Sequence, residues 1–214
     1  MKLQLALDEM NLVDALRFAD KVAEHVDIIE VGTPFVMDEG MRGVREFHRF
    51  FPDKEILADL KIMDGGYLEA SYAYEAGAAY ATILGVSDNL TIEGALKAAR
   101  DYERKLVVDM ICVEDLPARI AKMEEIGVDI LAVHTGADQQ AAGREPIQDL
   151  EVMTANAKKS QIAVAGGINS KTIGKYVELK PDIVIVGSAR HAVSLTSCLT
   201  PLRDILLLKR KMTY

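Results

Sequence analysis

Two cysteines, six prolines and no tryptophan in 214 residues rule out several kinds of protein at the outset. Cys112 and Cys198 are too few for a disulfide framework, and their spacing is not a metal motif. Both read as small buried thiols of a reducing compartment, with Cys112 also standing in a loop just beyond Asp109. No apolar stretch is long enough to cross a bilayer, and Met1-Lys2-Leu3 leads straight into a strand pattern. The expectation is therefore a cytoplasmic protein with neither membrane span nor signal peptide. Positive charge is scarce too: 25 Lys and Arg against 33 Asp and Glu leave a net charge of −8. That balance disfavours nucleic acids and anionic membranes as partners. The one basic cluster, Lys209-Arg210-Lys211, reads as a helix C-terminus favoured by the macrodipole. No linker or low-complexity tract interrupts the chain, so one domain over 1–214 is expected. At 50% hydrophobic it has ample core.

What is present is a repeat of short apolar runs, each ending in a polar residue or glycine. Leu3-Gln4-Leu5-Ala6-Leu7 ends at Asp8, Asp27-Ile28-Ile29 at Glu30, and Glu55-Ile56-Leu57-Ala58 at Asp59. Tyr80-Ala81-Thr82-Ile83-Leu84 ends at Gly85, Leu106-Val107-Val108 at Asp109, and Asp129-Ile130-Leu131-Ala132-Val133 at His134. Ile162-Ala163-Val164-Ala165 ends at Gly166, and Asp182-Ile183-Val184-Ile185-Val186 at Gly187. Successive ends lie 21 to 32 residues apart, room for one helix and two short loops. Between them Asn11, Asp88 or Asn89, and Asp115 stand where helix caps belong, and Gly77 and Gly127 follow helical runs. Near-continuous apolar strands separated by helices mean parallel pairing with helices outside. Eight such units, without a dinucleotide fingerprint or a switch point, close most economically as a (β/α)8 TIM barrel.

The third run is the unusual one, because it carries charge where a strand should be apolar. In Ala58-Asp59-Leu60-Lys61-Ile62-Met63-Asp64-Gly65-Gly66, strand alternation sends Asp59 and Lys61 to one face, with Asp64 just past the strand end. In a parallel barrel the strand C-termini share the face where chemistry is done. There the chain gathers Asp8, Glu30, Asp59, Lys61, Asp64, Asp109 and His134 on one side, and bare Gly166-Gly167 and Gly187-Ser188 on the other. Each has a plain structural account alone: a capping Asp (Asp8 above all), a turn glycine, a satisfied histidine. Folding stability by itself does not collect so much charge at one rim. The acidic side suits a divalent cation, with Glu30 and Asp59 as oxygen ligands of Mg²⁺. Glycines that let backbone N–H groups approach an anion suit a phosphate. The chemistry that fits is an enediolate on a phosphorylated keto-sugar. Lys61 stabilises its charge, His134 moves the C1 proton, and Asp109 and Asp64 position hydroxyls, orient Lys61 or assist the relay.

Asp59-x-Lys61-x-x-Asp64 at the third strand of a compact barrel resembles the signature of the orotidine 5′-monophosphate decarboxylase suprafamily. With Val26 to Pro34, Val108-Asp109-Met110-Ile111, Val133-His134-Thr135-Gly136 and Val164-Ala165-Gly166-Gly167-Ile168, the chain is similar to the 3-hexulose-6-phosphate synthase family over roughly 2–190. The resemblance implies condensation of ribulose 5-phosphate with formaldehyde to D-arabino-hex-3-ulose 6-phosphate, using Mg²⁺ or Mn²⁺. It also implies a homodimer with sites at the interface, where Asp64 reaches the partner's pocket. The neighbouring 3-keto-L-gulonate-6-phosphate decarboxylases make a similar enediolate by losing CO₂, and are the alternative activity. Glu30 stands where the nucleotide decarboxylases carry lysine. Asp109 and Ala137 stand where the keto-gulonate enzymes resemble Glu-Leu and carry an arginine. A non-catalytic barrel that only binds sugar phosphates is the alternative of another class, and a missing charged residue would mark it; none is missing. Ser188-Ala189-Arg190-His191 departs from the glycine or small residues usual there, and the stretch from Leu195 to Tyr214 matches poorly.

Overall fold

Runs rich in Val, Ile, Leu and Ala form eight strands: β1 (Lys2–Leu7), β2 (Ile28–Val31), β3 (Glu55–Ile62), β4 (Tyr80–Leu84), β5 (Lys105–Asp109), β6 (Ile130–His134), β7 (Gln161–Ala165) and β8 (Ile183–Gly187). Each pairs in parallel with the next, and β8 pairs with β1, closing the expected barrel. The structure is a computed structural model that describes residues 1–187. Ser188, Ala189, Arg190, His191, Cys198, the stretch from Leu195 to Tyr214 and its Lys209-Arg210-Lys211 cluster lie outside the described residues.

The connections are α1 (Leu12–Val22), a 3-10 turn (Ala23–His25), α2 (Thr33–Phe50, interrupted at Gly40), α3 (Gly66–Glu75), α4 (Asn89–Asp101), α5 (Leu116–Ile126), α6 (Ala137–Ala141), α7 (Ile147–Asn156) and α8 (Ile173–Val177). Three start where a side-chain oxygen satisfies an orphan N–H, as the spacing predicts. Asn11 accepts from the Asp14 N–H, Asp88 from Leu90 and Asp115 from Ala118, at 3.0, 2.8 and 3.0 Å. Gly77 and Gly127 close α3 and α5 with φ of +97° and +90°, a region most side chains avoid.

The two-residue period of the strands decides what the barrel encloses. Odd- and even-numbered neighbours alternate between the helix layer and the interior, so Ile28 and Glu30, Leu57 and Asp59, Val107 and Asp109, and Ala132 and His134 all face inward. The lower interior is apolar, a cluster containing Ile28, Leu57, Tyr80, Val107, Ile130 and Ile183. One step up each strand the same face turns polar. The floor is closed by Tyr80, whose hydroxyl donates to Glu55 Oε1 at 2.8 Å, with Lys2 bonded to the same carboxylate. Burial, with Glu55 beside it, pushes the Tyr80 phenol up to about 12. Outside the sheet the larger apolar cluster, including Phe18, Phe35, Phe47, Ile92 and Met123, glues the helices to the strands.

Candidate active site

The mouth of the barrel opens into a cavity of about 1040 Å³. Asp8, Glu30, Asp59, Lys61, Asp109, His134, Gly166, Gly167 and Gly187 all line it. At its centre is a continuous polar chain. Lys61 Nζ lies 2.5 Å from Asp59 Oδ2 and 3.4 Å from Asp109 Oδ2, and Asp109 Oδ2 lies 2.8 Å from His134 Nδ1. The other Asp109 oxygen accepts the Ile111 N–H at 3.0 Å.

Strict alternation alone does not produce this chain. The β3–β4 register shifts between Ala58 and Ile62, and Lys61 has φ of +47°, rare for a residue with a side chain. Thr82 holds the bulge from β4: its hydroxyl accepts the Lys61 N–H at 2.9 Å and donates to Asp59 Oδ1 at 2.7 Å. Thr33, opening α2, sets its hydroxyl 2.8 Å from both the main-chain oxygen and Oδ2 of Asp59. The backbone strain at Lys61 is thus held by hydrogen bonds that also orient its carboxylate partner.

Charge along the chain is well defined. Burial pushes Asp109 up, but the His134 hydrogen bond and charge, Lys61 and the Ile111 N–H outweigh it and hold the carboxyl below its usual range. Burial lowers Lys61, yet Asp59 and Asp109 together hold its ammonium above an ordinary lysine. An ionised Asp109 only accepts, so His134 carries a proton on Nδ1, and in the neutral ring the lone pair is then the one on Nε2.

The acidic side is short of positive charge. Glu30 is buried, and burial followed by the Asp59 charge drives its carboxyl well above the usual range. Gln4 partly offsets this, donating from Nε2 to Glu30 Oε2 at 2.6 Å. Burial, then Asp59, also raises Asp8. Three mutually repelling carboxylates share Lys61, and a divalent cation would relieve that repulsion. No three His, Cys, Asp or Glu groups among the described residues form a ready cage. Two carboxylates with the remaining positions left to water and substrate are the donor set Mg²⁺ commonly uses, so the residues fit the ion.

On the opposite side Gly166 and Gly167 adopt φ of +121° and +66°. A Cβ on Gly166 would stand 2.8 Å from the Thr135 carbonyl oxygen, so only glycine fits that turn. Gly187 ends β8 at the same rim, while Ser188 lies outside the described residues.

Asp64 stands apart from the other acids, and one expectation, the burial of Cys112, is corrected. Asp64 does not join the cluster of its own chain: it is exposed, and its Oδ1 accepts from the Gly65 N–H at 2.7 Å. The chain has already left the barrel rim at Met63 and turns into α3 through left-handed Gly65. Cys112 is exposed instead of buried, because the turn after β5 places it, with φ of +60°, on the cavity wall. Gln4, Thr33 and Thr82 were not anticipated as site residues. Their only sequence signal is a polar side chain at an inward strand position or at a helix start.

A (β/α)8 barrel whose strand ends join a carboxylate–lysine–carboxylate–histidine chain to a glycine-lined recess has the layout of a barrel enzyme, its polar groups gathered at the strand C-termini. The chain belongs to the Orotidine 5'-phosphate decarboxylase / HUMPS family, matched over residues 1–189. It is 43% identical to 3-hexulose-6-phosphate synthase of Bacillus subtilis (strain 168) over 187 residues, 87% of this chain and 89% of the relative. The crystal structure of 3-hexulose-6-phosphate synthase from Salmonella typhimurium superposes with a TM-score of 0.94 at 52% identity, covering 100% of this chain and 99% of that one. A 3-keto-L-gulonate-6-phosphate decarboxylase from Vibrio cholerae shares the fold at 25% identity and a TM-score of 0.80, over 99% and 97% of the two chains. The family expected from Asp59, Lys61 and Asp64 is the family found.

Proposed function

We propose that the protein is a 3-hexulose-6-phosphate synthase, condensing D-ribulose 5-phosphate with formaldehyde through a 1,2-enediolate. The observation that carries this is the unbroken run from Asp59 through Lys61 and Asp109 to His134 in the barrel mouth. With Nδ1 bound to Asp109, His134 takes the C1 proton of the sugar on Nε2. The C1–H bond electrons move into the enediolate, whose negative charge Lys61 stabilises as a held ammonium. Carbon 1 then attacks the formaldehyde carbon, forming the new C–C bond. As that bond forms the sugar's C2 ketone is restored, the C=O π electrons of formaldehyde pass to its oxygen, and this oxygen takes up the proton that His134 had removed. Glu30 and Asp59 would hold Mg²⁺ or Mn²⁺, which supplies Lewis-acid polarisation of the sugar's C–O groups. Gly166, Gly167 and Gly187 cradle the phosphate, Asp8 positions hydroxyls, and Asp64 does so from a second copy of the chain.

A homodimer belongs to the same proposal. Met63, Leu68, Tyr72 and Leu90 are exposed apolar side chains, and Asp64 stands directly beside Met63. Such exposure favours a second copy that buries them and receives Asp64 at its own site. Sugar phosphates do not cross bilayers unaided, so the activity belongs in the cytoplasm with its substrate. The test is ribulose 5-phosphate-dependent loss of formaldehyde, run beside CO₂ release from 3-keto-L-gulonate 6-phosphate. Formaldehyde loss dominating is the expected result, and dominant CO₂ release would reassign the enzyme as a decarboxylase. Neither activity would leave a binding protein.

A further inference from the structure

The strands that carry Lys61 and Thr82 do not match residue for residue. β3 and β4 pair at Ala58 with Ala81 and again at Ile62 with Ile83. Between those pairs β3 has Asp59, Leu60 and Lys61, whereas β4 has Thr82 alone. One residue cannot continue a regular ladder with three, so the bulge has to be held by something else. Thr82 does this with a buried side chain whose hydroxyl bonds in both directions. It accepts the Lys61 N–H at 2.9 Å and donates to Asp59 Oδ1 at 2.7 Å, spanning the bulge from its last residue to its first. Lys61, with φ of +47°, sends Nζ to 3.4 Å from Asp109 Oδ2. Asp109 belongs to β5, two strands away and so about 10 Å across the sheet. Reaching it depends on the backbone that Thr82 holds.

We propose that Thr82 is a positioning residue for proton transfer at C1: by latching Lys61 and Asp59 to β4, its hydroxyl keeps the Lys61 ammonium between Asp59 and Asp109. This rests on the synthase reading above, in which Lys61 steadies the enediolate. Valine has the shape of threonine but can neither accept nor donate, so Thr82→Val leaves the Lys61 N–H without this partner. Left-handed backbone is costly for a residue with a side chain and persists only where its surroundings hold it. Once released, Lys61 returns to extended backbone and its ammonium leaves Asp109. The turn at Gly166 and Gly167, on the opposite side of the mouth, is not disturbed. The defect therefore belongs in the rate of C1 proton transfer and not in substrate affinity.

Two measurements on the full chain test it. The first is exchange of the C1 hydrogen of ribulose 5-phosphate with D₂O over a range of substrate concentrations. Thr82→Val should lower the saturated rate by about 10- to 100-fold, the scale of one or two lost hydrogen bonds, with KM near wild type. Thr82→Ser keeps the hydroxyl and should return most of that loss. The second needs no substrate: the Lys61 ammonium is followed by ¹H–¹⁵N NMR, its signal assigned by its absence in Lys61→Arg. A held ammonium trades its protons with water slowly, so the signal should be present in wild type and Thr82→Ser and absent in Thr82→Val. A wild-type rate of C1 exchange in Thr82→Val that keeps the wild-type circular dichroism spectrum would overturn the proposal. So would equal losses in the serine and valine variants, or a KM that rises in proportion to the lost rate. A wild-type Lys61 ammonium that trades protons as fast as surface lysines would overturn it even if the valine variant fails to fold. Absence of C1 exchange in wild type would instead end the synthase reading, and the NMR comparison of serine with valine would still decide what holds Lys61.

Discussion

His134 and Asp109, at the C-terminal ends of adjacent strands β6 and β5, stand with Nδ1 and Oδ2 2.8 Å apart. The contact fixes the imidazole tautomer, because a carboxylate held in its ionised form accepts only. It also ties the proposed base to Lys61, which shares the same Asp109 oxygen at 3.4 Å.

Removing that acceptor should disable the base without moving it. Asp109→Asn lets the imidazole adopt either tautomer and should lower turnover by about 10²- to 10⁴-fold. The measurement is exchange of the C1 hydrogen of ribulose 5-phosphate with D₂O by NMR, in the absence of formaldehyde. Exchange should fall in parallel with turnover, and more steeply still in His134→Ala. Unaltered exchange in both variants would exclude His134 as the base.

Ala137 opens α6 on the cavity wall, three residues after His134. Ala137→Arg should raise decarboxylation of 3-keto-L-gulonate 6-phosphate relative to condensation, by giving the enediolate a partner for protonation. The ratio of the two activities on one preparation checks it. A residue merely tolerated in a loop predicts an unchanged ratio.

Glu30→Gln and Asp59→Asn should each abolish metal dependence and most turnover while leaving the fold intact. Glu30 is the cleaner site, since glutamine there can still bond to Gln4. Activity with graded Mg²⁺ after EDTA treatment is the measurement. Full activity of EDTA-treated wild type would contradict the cation's role.

Gly166→Ala pushes a Cβ against the Thr135 carbonyl and strains a φ of +121°. KM for ribulose 5-phosphate should rise by at least about tenfold, the scale of losing one to two kcal/mol of phosphate binding. Unphosphorylated ribulose should be a very poor substrate of wild type, because phosphate contacts position the reacting end. Comparable turnover of ribulose and its phosphate would argue against the glycine cradle.

The barrel, its strand ends and most of the acidic rim were legible in the sequence because they rest on short-range rules. A two-residue period placed Glu30, Asp59, Asp109 and His134 on one face, and parallel pairing brought their strand ends to one rim. Asn11, Asp88 and Asp115 announced their helices because capping is decided within three residues. Tertiary structure decided the rest. Lys61 reaches both Asp59 and Asp109 through a bulge held from β4 by Thr82, a partner 21 residues away that carries no charge to reveal it. Gln4 finds Glu30 only because β1 and β2 pair in this register. Asp64, grouped with Asp59 by spacing, is turned out of the cluster by left-handed Gly65 and the start of α3. Cys112, hydrophobic enough to expect inside, is exposed by the turn after β5. Alternation along a strand is a property of its own residues. Which side chains meet across strands depends on register and bulges, and these are settled by packing between segments distant in sequence.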